Sequence, residues 1–271
     1  MVEVNKIYNM DCLDGLRMLQ DNCIDLTVTS PPYDGLRTYN GYSFNFEPIA
    51  QELYRVTKPG GVLVWVVGDQ TKNGTESGTS FRQALYFKEC GFNLHDTMIY
   101  QKANYIPLTH NRYEQSFEYM FVLSKGKPKT FNPIMVPCKN SGKIESYGSK
   151  RRKQLDKNQA MRAPEGIFYK ATKAEKIHPN IFTYTCGAGR SGHPAVFPEQ
   201  LASDHIISWS NPGDLVFDPF MGSGTTAKMA MLAGRDYLGF EISEEYCNIA
   251  TERIEQATTS HQMELFSGVV V

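Results

Sequence analysis

The sequence lacks three features that would each define a class of protein. No apolar run approaches the length of about 18 residues that a membrane-spanning helix needs. None of the six cysteines stands in a C-x-x-C pair, so neither a zinc site nor a redox motif is predicted. The first residues lack the apolar core of a signal peptide. These absences predict a cytoplasmic protein with reduced thiols, no metal and no membrane partner.

The chain also has almost no net charge, −1 from 28 basic and 29 acidic residues, but the charge is unevenly distributed. Residues 126–190 hold 14 Lys or Arg and 4 Asp or Glu, a balance of +10, whereas the rest of the chain has a balance of −11. A basic segment that also contains aromatic residues and glycines is typical of a surface that binds a polyanion. A solvated charged loop is the alternative interpretation.

Short apolar runs alternate with stretches of helical spacing along the rest of the chain. The runs predict strands, and the stretches with apolar residues every three or four positions predict helices. The predicted strands are 25–30, 62–67, 97–101, 119–124, 215–218 and 237–241, and the predicted helices are 46–56, 81–90, 198–208, 225–233 and 244–256. Alternation of this kind predicts an α/β fold, a mostly parallel sheet with helices on both faces. From about Thr258 a loose tail is expected.

The stretch DPFMGSGTT, residues 218–226, lies between a predicted strand and a predicted helix. Its glycines allow a sharp turn and let a ligand approach the backbone, and the helix that follows would point free N–H groups at that ligand. It is not a phosphate loop, because no lysine follows the second glycine. Glu241 ends the next predicted strand, where an acid accepts hydrogen bonds from ribose hydroxyls in nucleoside-binding folds. Together these features favour an adenosine ligand without a pyrophosphate, such as S-adenosyl-L-methionine, although Glu241 alone could instead cap a helix.

A second unusual stretch, TSPPY at residues 29–33, follows the first long predicted strand. Two consecutive prolines cannot continue a strand or a helix, because neither has an N–H group and each restricts the residue before it. The stretch therefore predicts a rigid corner at the end of a strand. A strand-ending turn without any chemistry is the simpler interpretation.

With both stretches identified, the sequence resembles an amino-group DNA methyltransferase. TSPPY resembles the catalytic motif of that family, and DPFMGSGTT resembles its S-adenosyl-L-methionine loop. In this chain the catalytic motif comes first, an order that resembles the permuted β group. HPAVFPEQL, residues 193–201, resembles the helix that closes over the methionine end of the cofactor, and NMDCLDGL, residues 9–16, resembles the turn that contacts the adenine.

The resemblance runs from Asn9 to about Ile254 and implies a division of the chain. A Rossmann-like S-adenosyl-L-methionine-dependent methyltransferase domain is expected over 1–125 and 191–257, with a small basic target-recognition insert at 126–190 and a tail at 258–271. Double-stranded DNA is the expected partner, in the nucleoid of a prokaryote or a phage-infected cell, in restriction-modification or epigenetic marking. The sequence leaves room for a homodimer.

The same resemblance implies a set of site residues. The expected catalytic residues are Ser30, Pro31, Pro32 and Tyr33. The expected cofactor-binding residues are Asp11, Cys12, Thr29, His193, Pro194, Asp218, Pro219, Phe220, Gly222, Gly224, Thr225, Thr226 and Glu241. Within the basic segment, DNA contacts are predicted for Lys150, Arg151, Arg152, Lys153 and Arg190, each of which is otherwise a solvated surface charge.

The chemistry of an exocyclic amine explains the corner. Such an amine is a poor nucleophile, because its lone pair is delocalised into the ring. Ser30 offers a side-chain oxygen and Pro31 a carbonyl, and both can accept the amine hydrogens in a fixed geometry. Tyr33 offers a flat face for the base, which must leave the duplex to react.

Ser at the first position of the motif is typical of N4-cytosine enzymes in this family, whereas Asp or Asn is typical of N6-adenine enzymes. The resemblance thus predicts N4-cytosine methylation, with N6-adenine methylation as the alternative.

A carbon-5 enzyme would use a Pro-Cys nucleophile, but Pro137-Cys138 lies in the basic segment and Cys138 is interpreted as an ordinary thiol. RNA and protein-glutamine methyltransferases usually place the corner after the cofactor loop. A non-catalytic DNA-binding module would not be expected to keep this set of site residues intact.

Overall fold

A computed structural model describes residues 2–32, 44–105, 111–139, 141, 144–147, 168–171, 173–185 and 198–267. The chain divides into two compact units, one formed by Met1–Asn132 and Asn180–Val271, the other by Pro133–Pro179. The helices and strands in chain order are β1 (Lys6–Asn9), α1 (Cys12–Met18), β2 (Ile24–Thr29), α2 (Phe46–Val56), β3 (Thr57–Val67), β4 (Thr71–Lys72), β5 (Thr75–Glu76), α3 (Thr79–Glu89), β6 (Asn93–Lys102), β7 (Phe117–Ser124), β8 (Met135–Pro137), β9 (Ile144–Tyr147), β10 (Phe168–Ala171), β11 (Glu175–Ile177), β12 (Ile181–Tyr184), α4 (Glu199–Trp209), β13 (Leu215–Asp218), α5 (Thr225–Leu232), β14 (Asp236–Glu241) and α6 (Glu244–Ser267).

An eight-stranded sheet forms the centre of the first unit, in the order β1-β14-β13-β2-β3-β7-β6-β12. Only β7 runs antiparallel to its neighbours, β3 and β6, and the other neighbouring strands are parallel. Parallel strands need crossover connections, which the helices between them supply. The predicted fold class, a mostly parallel α/β sheet, is confirmed.

Helices cover both faces of this sheet. On one face α1 packs on α2 and α2 on α3, and the apolar positions of these helices close over Trp65 near the carboxyl end of β3. The Trp65 side chain is fully buried, and its Nε1 donates a hydrogen bond to Oε1 of Gln83 at 2.9 Å, which satisfies the buried indole N–H. The other layer consists of α4, α5 and α6, which also pack in sequence order.

Strand β3 is longer than the sequence predicted, because it begins at Thr57 and not at Val62. The α2 helix does end at Val56, and the chain enters the strand directly. Thr57 pairs with Ile24 while Val62 pairs with Leu26, so the residues between them form a bulge against β2. Gly60, at a φ of +82°, supplies the left-handed conformation that this bulge contains.

Helix α6 continues to Ser267, so the expectation of a loose tail from about Thr258 is wrong for residues 258–267. Hydroxyl residues in mid-helix often weaken a helix by competing for its backbone. Here the Thr258, Thr259 and Ser260 hydroxyls donate to carbonyl oxygens four residues earlier, at 2.8, 3.0 and 2.9 Å. The local pattern of polar residues therefore did not reveal the length of the helix.

The second unit contains two antiparallel two-stranded ribbons, β8 with β11 and β9 with β10. Backbone hydrogen bonds from His178 to Ile134 and from Cys138 to Ala174, both 2.8 Å, flank the β8–β11 ribbon. This unit spans fewer residues than the basic insert predicted at 126–190. Strand β12 lies outside the unit, because it pairs with β6 in the main sheet.

Two further expectations concern cysteines and membranes. The five cysteines within the described residues, at positions 12, 23, 90, 138 and 247, are free thiols. In the part of the chain that the structure describes, no helix combines the length and the apolar character needed to cross a bilayer.

Candidate active site

The carboxyl ends of four neighbouring parallel strands bring the predicted site residues to one edge of the sheet. These strands are β1, β14, β13 and β2, and they end at Asn9, Glu241, Asp218 and Thr29. Ligands of open α/β sheets bind at the carboxyl ends of the strands. The edge thus gathers residues from both ends of the chain.

Asp218 connects the proline corner to the glycine turn. Its Oδ1 accepts a hydrogen bond from the Thr29 hydroxyl at 2.6 Å and another from the Phe220 N–H at 3.0 Å. Its Oδ2 accepts from the Thr226 hydroxyl at 2.8 Å, at the start of α5. Asp218, Thr29 and Thr226 are all buried. Three directed hydrogen bonds to one buried carboxylate fix the residue before Ser30 relative to the turn.

Burial raises the pKa of Asp218 to about 6, although the hydrogen bonds from Thr29, Phe220 and Thr226 act in the opposite direction. Desolvation disfavours the charged carboxylate, and the hydrogen-bond donors favour it. The side chain is 5% exposed, so burial outweighs the donors. Asp218 therefore serves as an internal anchor whose protonation is linked to folding.

The turn between β13 and α5 needs its glycines. Gly222 and Gly224 have φ values of 52° and 80°, in the left-handed region that side chains disfavour. A Cβ atom on Gly224 would also lie 2.7 Å from Cβ of Ala250, in α6. Gly224 is the N-cap of α5, so the first N–H groups of that helix lie directly after the turn. The turn thus leaves bare backbone at a helix N-terminus.

Glu241 at the end of β14 fixes this turn from the other side. Its Oε2 accepts a hydrogen bond from the Gly222 N–H at 2.7 Å, and its Oε1 accepts one from the Ser243 N–H at 2.9 Å. The bond to Ser243 is the helix-capping contact that the sequence offered as the alternative role of Glu241. Glu241 makes this contact and the bond to the turn at the same time. Burial raises the pKa of Glu241, and its bonds with Ser243 and Gly222 partly oppose this. A carboxylate has about four acceptor positions, so two backbone donors do not exhaust Glu241.

The first strand and helix border the same edge. Asp11 is the N-cap of α1, where its Oδ1 accepts hydrogen bonds from the N–H groups of Leu13 at 2.8 Å and Asp14 at 3.3 Å. The Met10 N–H donates to the Glu241 carbonyl at 3.0 Å, which ties this turn to β14. Burial raises the pKa of the Cys12 thiol to about 12, so Cys12 is present as a neutral thiol.

The remaining predicted residues divide into two groups. Ser30 and Pro32 are half-buried and Pro31 is buried at the corner, and Pro219, Phe220 and Thr225 lie in or beside the turn. Eight predicted residues lie outside the described part of the chain, so their roles stay predictions: Tyr33, Lys150, Arg151, Arg152, Lys153, Arg190, His193 and Pro194.

Arg253 was not singled out from the sequence, yet it contacts the turn. Its guanidinium donates to the Ser223 carbonyl and, at 2.8 Å, to the Ser223 hydroxyl. The local signal for it is weak, a basic residue beside the buried Ala250 and Ile254 on α6. Nothing in that local pattern indicates which loop the side chain reaches.

These residues fit an adenosine-containing cofactor that carries no pyrophosphate. Gly222 brings backbone without a side chain to the turn, Glu241 is an acceptor suited to hydroxyl donors, and the N-terminus of α5 follows the turn. Within the described residues no group of three or more His, Cys, Asp or Glu side chains could hold a metal ion. The fold and the site define a methyltransferase that uses S-adenosyl-L-methionine.

Comparison with known proteins defines the family more narrowly. The family model N6_N4_Mtase, described as a DNA methylase, matches residues 24–252. The chain belongs to this family and acts on DNA. It is 57% identical over 252 residues to the orphan methyltransferase M.BamHII of Bacillus amyloliquefaciens, which covers 89% of this chain and 92% of the relative. It is 28% identical to the type II methyltransferase M.BglII of Bacillus subtilis, over 91% of this chain and 68% of that protein.

Solved structures show the same fold. TTHA0409 of Thermus thermophilus, complexed with S-adenosyl-L-methionine, matches with a TM-score of 0.62 and 24% identity over 93% of both chains. The PvuII DNA methyltransferase, named as cytosine-N4-specific, matches with a TM-score of 0.67 and 20% identity over 98% of both chains.

The first prediction concerns Glu241. Replacing Glu241 by Ala is expected to weaken S-adenosyl-L-methionine binding by about 1–3 kcal/mol, because a buried polar ligand group loses its acceptor. Titration calorimetry measures this change directly. The control is Glu245→Ala, which removes an exposed acid from the first turn of α6. This variant should bind S-adenosyl-L-methionine normally. Unchanged affinity in Glu241→Ala would leave Glu241 with its capping role alone.

The second prediction concerns the pH dependence that Asp218 contributes. The folded carboxyl titrates at about 6 and the unfolded one near 3.8, so the folded state holds a proton that the unfolded state releases between these values. The free energy of unfolding should therefore fall as pH rises through this window, by up to about 3 kcal/mol from this group.

Asp218→Asn removes this titration. Urea unfolding of both proteins between pH 4 and pH 7 should show that the advantage of the wild type over the variant shrinks as pH rises. The exposed Asp14→Asn serves as the control. A difference between wild type and Asp218→Asn that is constant with pH would contradict the assignment.

Proposed function

We propose that this protein transfers a methyl group to the N4 amine of a cytosine that is flipped out of duplex DNA. The observation that carries the proposal is the Ser30-Pro31-Pro32 corner, held against the glycine turn through the bond from Thr29 to Asp218 at 2.6 Å. The corner and the turn lie at the ends of β2 and β13, which are neighbours in the sheet. A base at the corner would thus lie beside a cofactor at the turn.

The proposed role of the corner is to orient the amine. Bound S-adenosyl-L-methionine would supply the methyl group from its sulfonium: the S–CH3 bond would break as the N–CH3 bond forms, S-adenosylhomocysteine would leave, and the methylated amine would give up one proton to water. The Ser30 hydroxyl and the Pro31 carbonyl accept the two amine hydrogens, so the nitrogen lone pair turns out of conjugation with the ring. Each proline fixes its own φ near −65°, which reduces the freedom of the accepting groups before the base arrives. Ser30 is neutral and does not take up a proton at neutral pH, so it holds the amine and does not act as a base.

The choice of cytosine as the base rests on resemblance. Ser at this motif position is typical of N4-cytosine enzymes, and one solved structure with the same fold is named as cytosine-N4-specific. The family model covers N6 as well as N4 methylation, so N6-adenine methylation is the second candidate. Both bases present an amine beside a ring acceptor, so the hydrogen bonds that Ser30 and Pro31 offer do not by themselves distinguish them.

The basic segment is proposed to choose the DNA sequence. Residues 126–190 have a charge balance of +10 in a chain that is otherwise acidic, which suits contact with phosphates. Within it, Pro133–Pro179 forms a compact unit of two β-ribbons. Ribbons of two strands are one of the elements that fit a DNA groove.

The relative M.BamHII is named an orphan methyltransferase, which favours DNA marking over partnership with a restriction enzyme.

The third prediction tests the corner. Ser30→Ala is expected to lower the single-turnover rate of methyl transfer about 100-fold, the scale seen when one preorganised hydrogen-bond partner is removed. S-adenosyl-L-methionine affinity should stay within about twofold, because Ser30 contacts the base. Transfer of radiolabel to DNA and calorimetry measure the two quantities.

Thr27→Val is the matched control for Ser30→Ala. It removes a hydroxyl from β2, the strand that leads into Ser30, and the Thr27 hydroxyl has no hydrogen-bond partner among the described residues. Its transfer rate should equal that of the wild type. A Ser30→Ala variant that loses cofactor affinity and keeps its rate would assign Ser30 to the cofactor.

The fourth prediction identifies the base. Duplex DNA methylated by the protein, digested to nucleosides and analysed by mass spectrometry, should contain N4-methylcytosine. The Ser30→Ala protein provides the background. N6-methyladenine without N4-methylcytosine would replace cytosine by adenine and leave the amine mechanism unchanged.

A further inference from the structure

The glycine turn is supported from behind by one face of α6. Ala250 and Arg253 lie one turn apart on this helix and both contact the turn. Ala250 is fully buried, and its Cβ fills the space where a side chain on Gly224 would lie. Residues three apart share a helix face, so a single face of α6 forms both contacts.

Arg253 holds the second of the two peptides between the two left-handed glycines, the one that joins Ser223 to Gly224. Its Nη1 donates to the carbonyl and the hydroxyl of Ser223, and more weakly to the Thr225 hydroxyl at 3.4 Å. At the opposite edge of the same peptide group, the Gly224 N–H donates to the Met221 carbonyl at 2.9 Å. The 223–224 peptide is thereby held at both of its polar groups, which sets the direction of the backbone through the turn.

The second branch of the guanidinium reaches another helix. Nη2 of Arg253 donates to Oε1 of Glu199 at 2.9 Å, in the first turn of α4, and Nζ of Lys228 in α5 donates to the same oxygen at 2.7 Å. Burial alone would raise the pKa of Glu199, but Lys228 and Arg253 together lower it. Glu199 is thus ionised and holds the guanidinium in a fixed orientation.

These contacts depend on the planar shape of arginine. The Arg253 side chain is 19% exposed and Ser223 is 5% exposed, so water competes weakly for the hydrogen bonds between them, whereas the Glu199 side chain is 41% exposed. A guanidinium can donate in two fixed directions at once, whereas a lysine ammonium on a flexible stem cannot hold both partners in the same plane. Charge alone does not reproduce the arrangement.

We propose that Arg253 is a positioning residue for the cofactor. It orients the Ser223–Gly224 peptide against Glu199, so that the turn is held in its binding conformation before S-adenosyl-L-methionine arrives. Preorganisation of this kind lowers the cost of binding and leaves the chemical step unchanged. The proposal rests on the proposed role of the glycine turn in holding the cofactor.

The fifth prediction compares Arg253→Lys with Lys228→Met. Lysine at 253 keeps the charge and loses the two-branched contact, and the dissociation constant for S-adenosyl-L-methionine should rise about tenfold. The kcat at saturating cofactor should stay within about twofold. Lys228→Met removes a side-chain partner of the same Glu199 oxygen and leaves the backbone bond from Lys228 to Gly224 in place, and its affinity should stay within about twofold of the wild type.

A second measurement uses the protein without cofactor. Amide hydrogen exchange of a peptide that covers residues 221–226 should be faster in Arg253→Lys than in the wild type and in Lys228→Met. Urea unfolding of both variants shows whether general destabilisation explains the result. A merely structural role would lower the stability of both variants and leave their cofactor affinities alike.

Three outcomes would overturn the proposal. They are unchanged cofactor affinity in folded Arg253→Lys, equal loss of affinity in Lys228→Met, and loss of kcat with unchanged affinity. Glu241→Ala separates this failure from a failure of the cofactor site itself. If Glu241→Ala weakens binding and Arg253→Lys does not, the site stands and Arg253 has no part in positioning it. If neither variant weakens binding, the cofactor site has been misplaced as well.

Discussion

The hydrogen bonds of the buried Asp218 carboxylate are the interaction on which the candidate site depends. They join Thr29, which is 189 residues from Asp218 in the chain, to Thr226 at the start of α5. A buried carboxylate that loses a donor bears the full cost of its desolvation, so each of the three donors is held firmly. The proline corner and the glycine turn therefore keep a fixed relation without any ligand. Such a relation is what a transfer between two bound molecules requires.

The order of the motifs along the chain has little influence on this geometry. Strands β13 and β2 are parallel neighbours in the sheet, and both end at the same edge. What places the two motifs together is the pairing of their strands, and the sequence distance between them adds only a slowly growing entropic cost. A large basic segment can consequently lie between the motifs, because the chain returns to the same sheet through β12.

The groups around the turn divide into those that hold it and those left to meet a ligand. Asp218 and Arg253 contact the turn from the buried side, one as an acceptor and one as a donor of several hydrogen bonds. Glu241 does both, since it fixes Gly222 and Ser243 and keeps acceptor capacity for further donors. The corner residue Ser30 is neutral. Charge is thus concentrated in the supporting groups, whereas Ser30, which is proposed to orient the base, is neutral.

The sequence by itself determined the class of fold, most of its elements and the position of both motifs. Helix α2 and strand β13 have the predicted bounds, because apolar periodicity is a local property that each segment carries alone. Only the tertiary structure decided the rest. The bulge at the start of β3 exists because Thr57 and Val62 pair with particular residues of β2. The double role of Glu241 and the reach of Arg253 depend on which loops become neighbours once the sheet has formed. Hydrogen bonds and burial between distant segments form only where the folded sheet brings those segments together. No local pattern of residues encodes which segments these are.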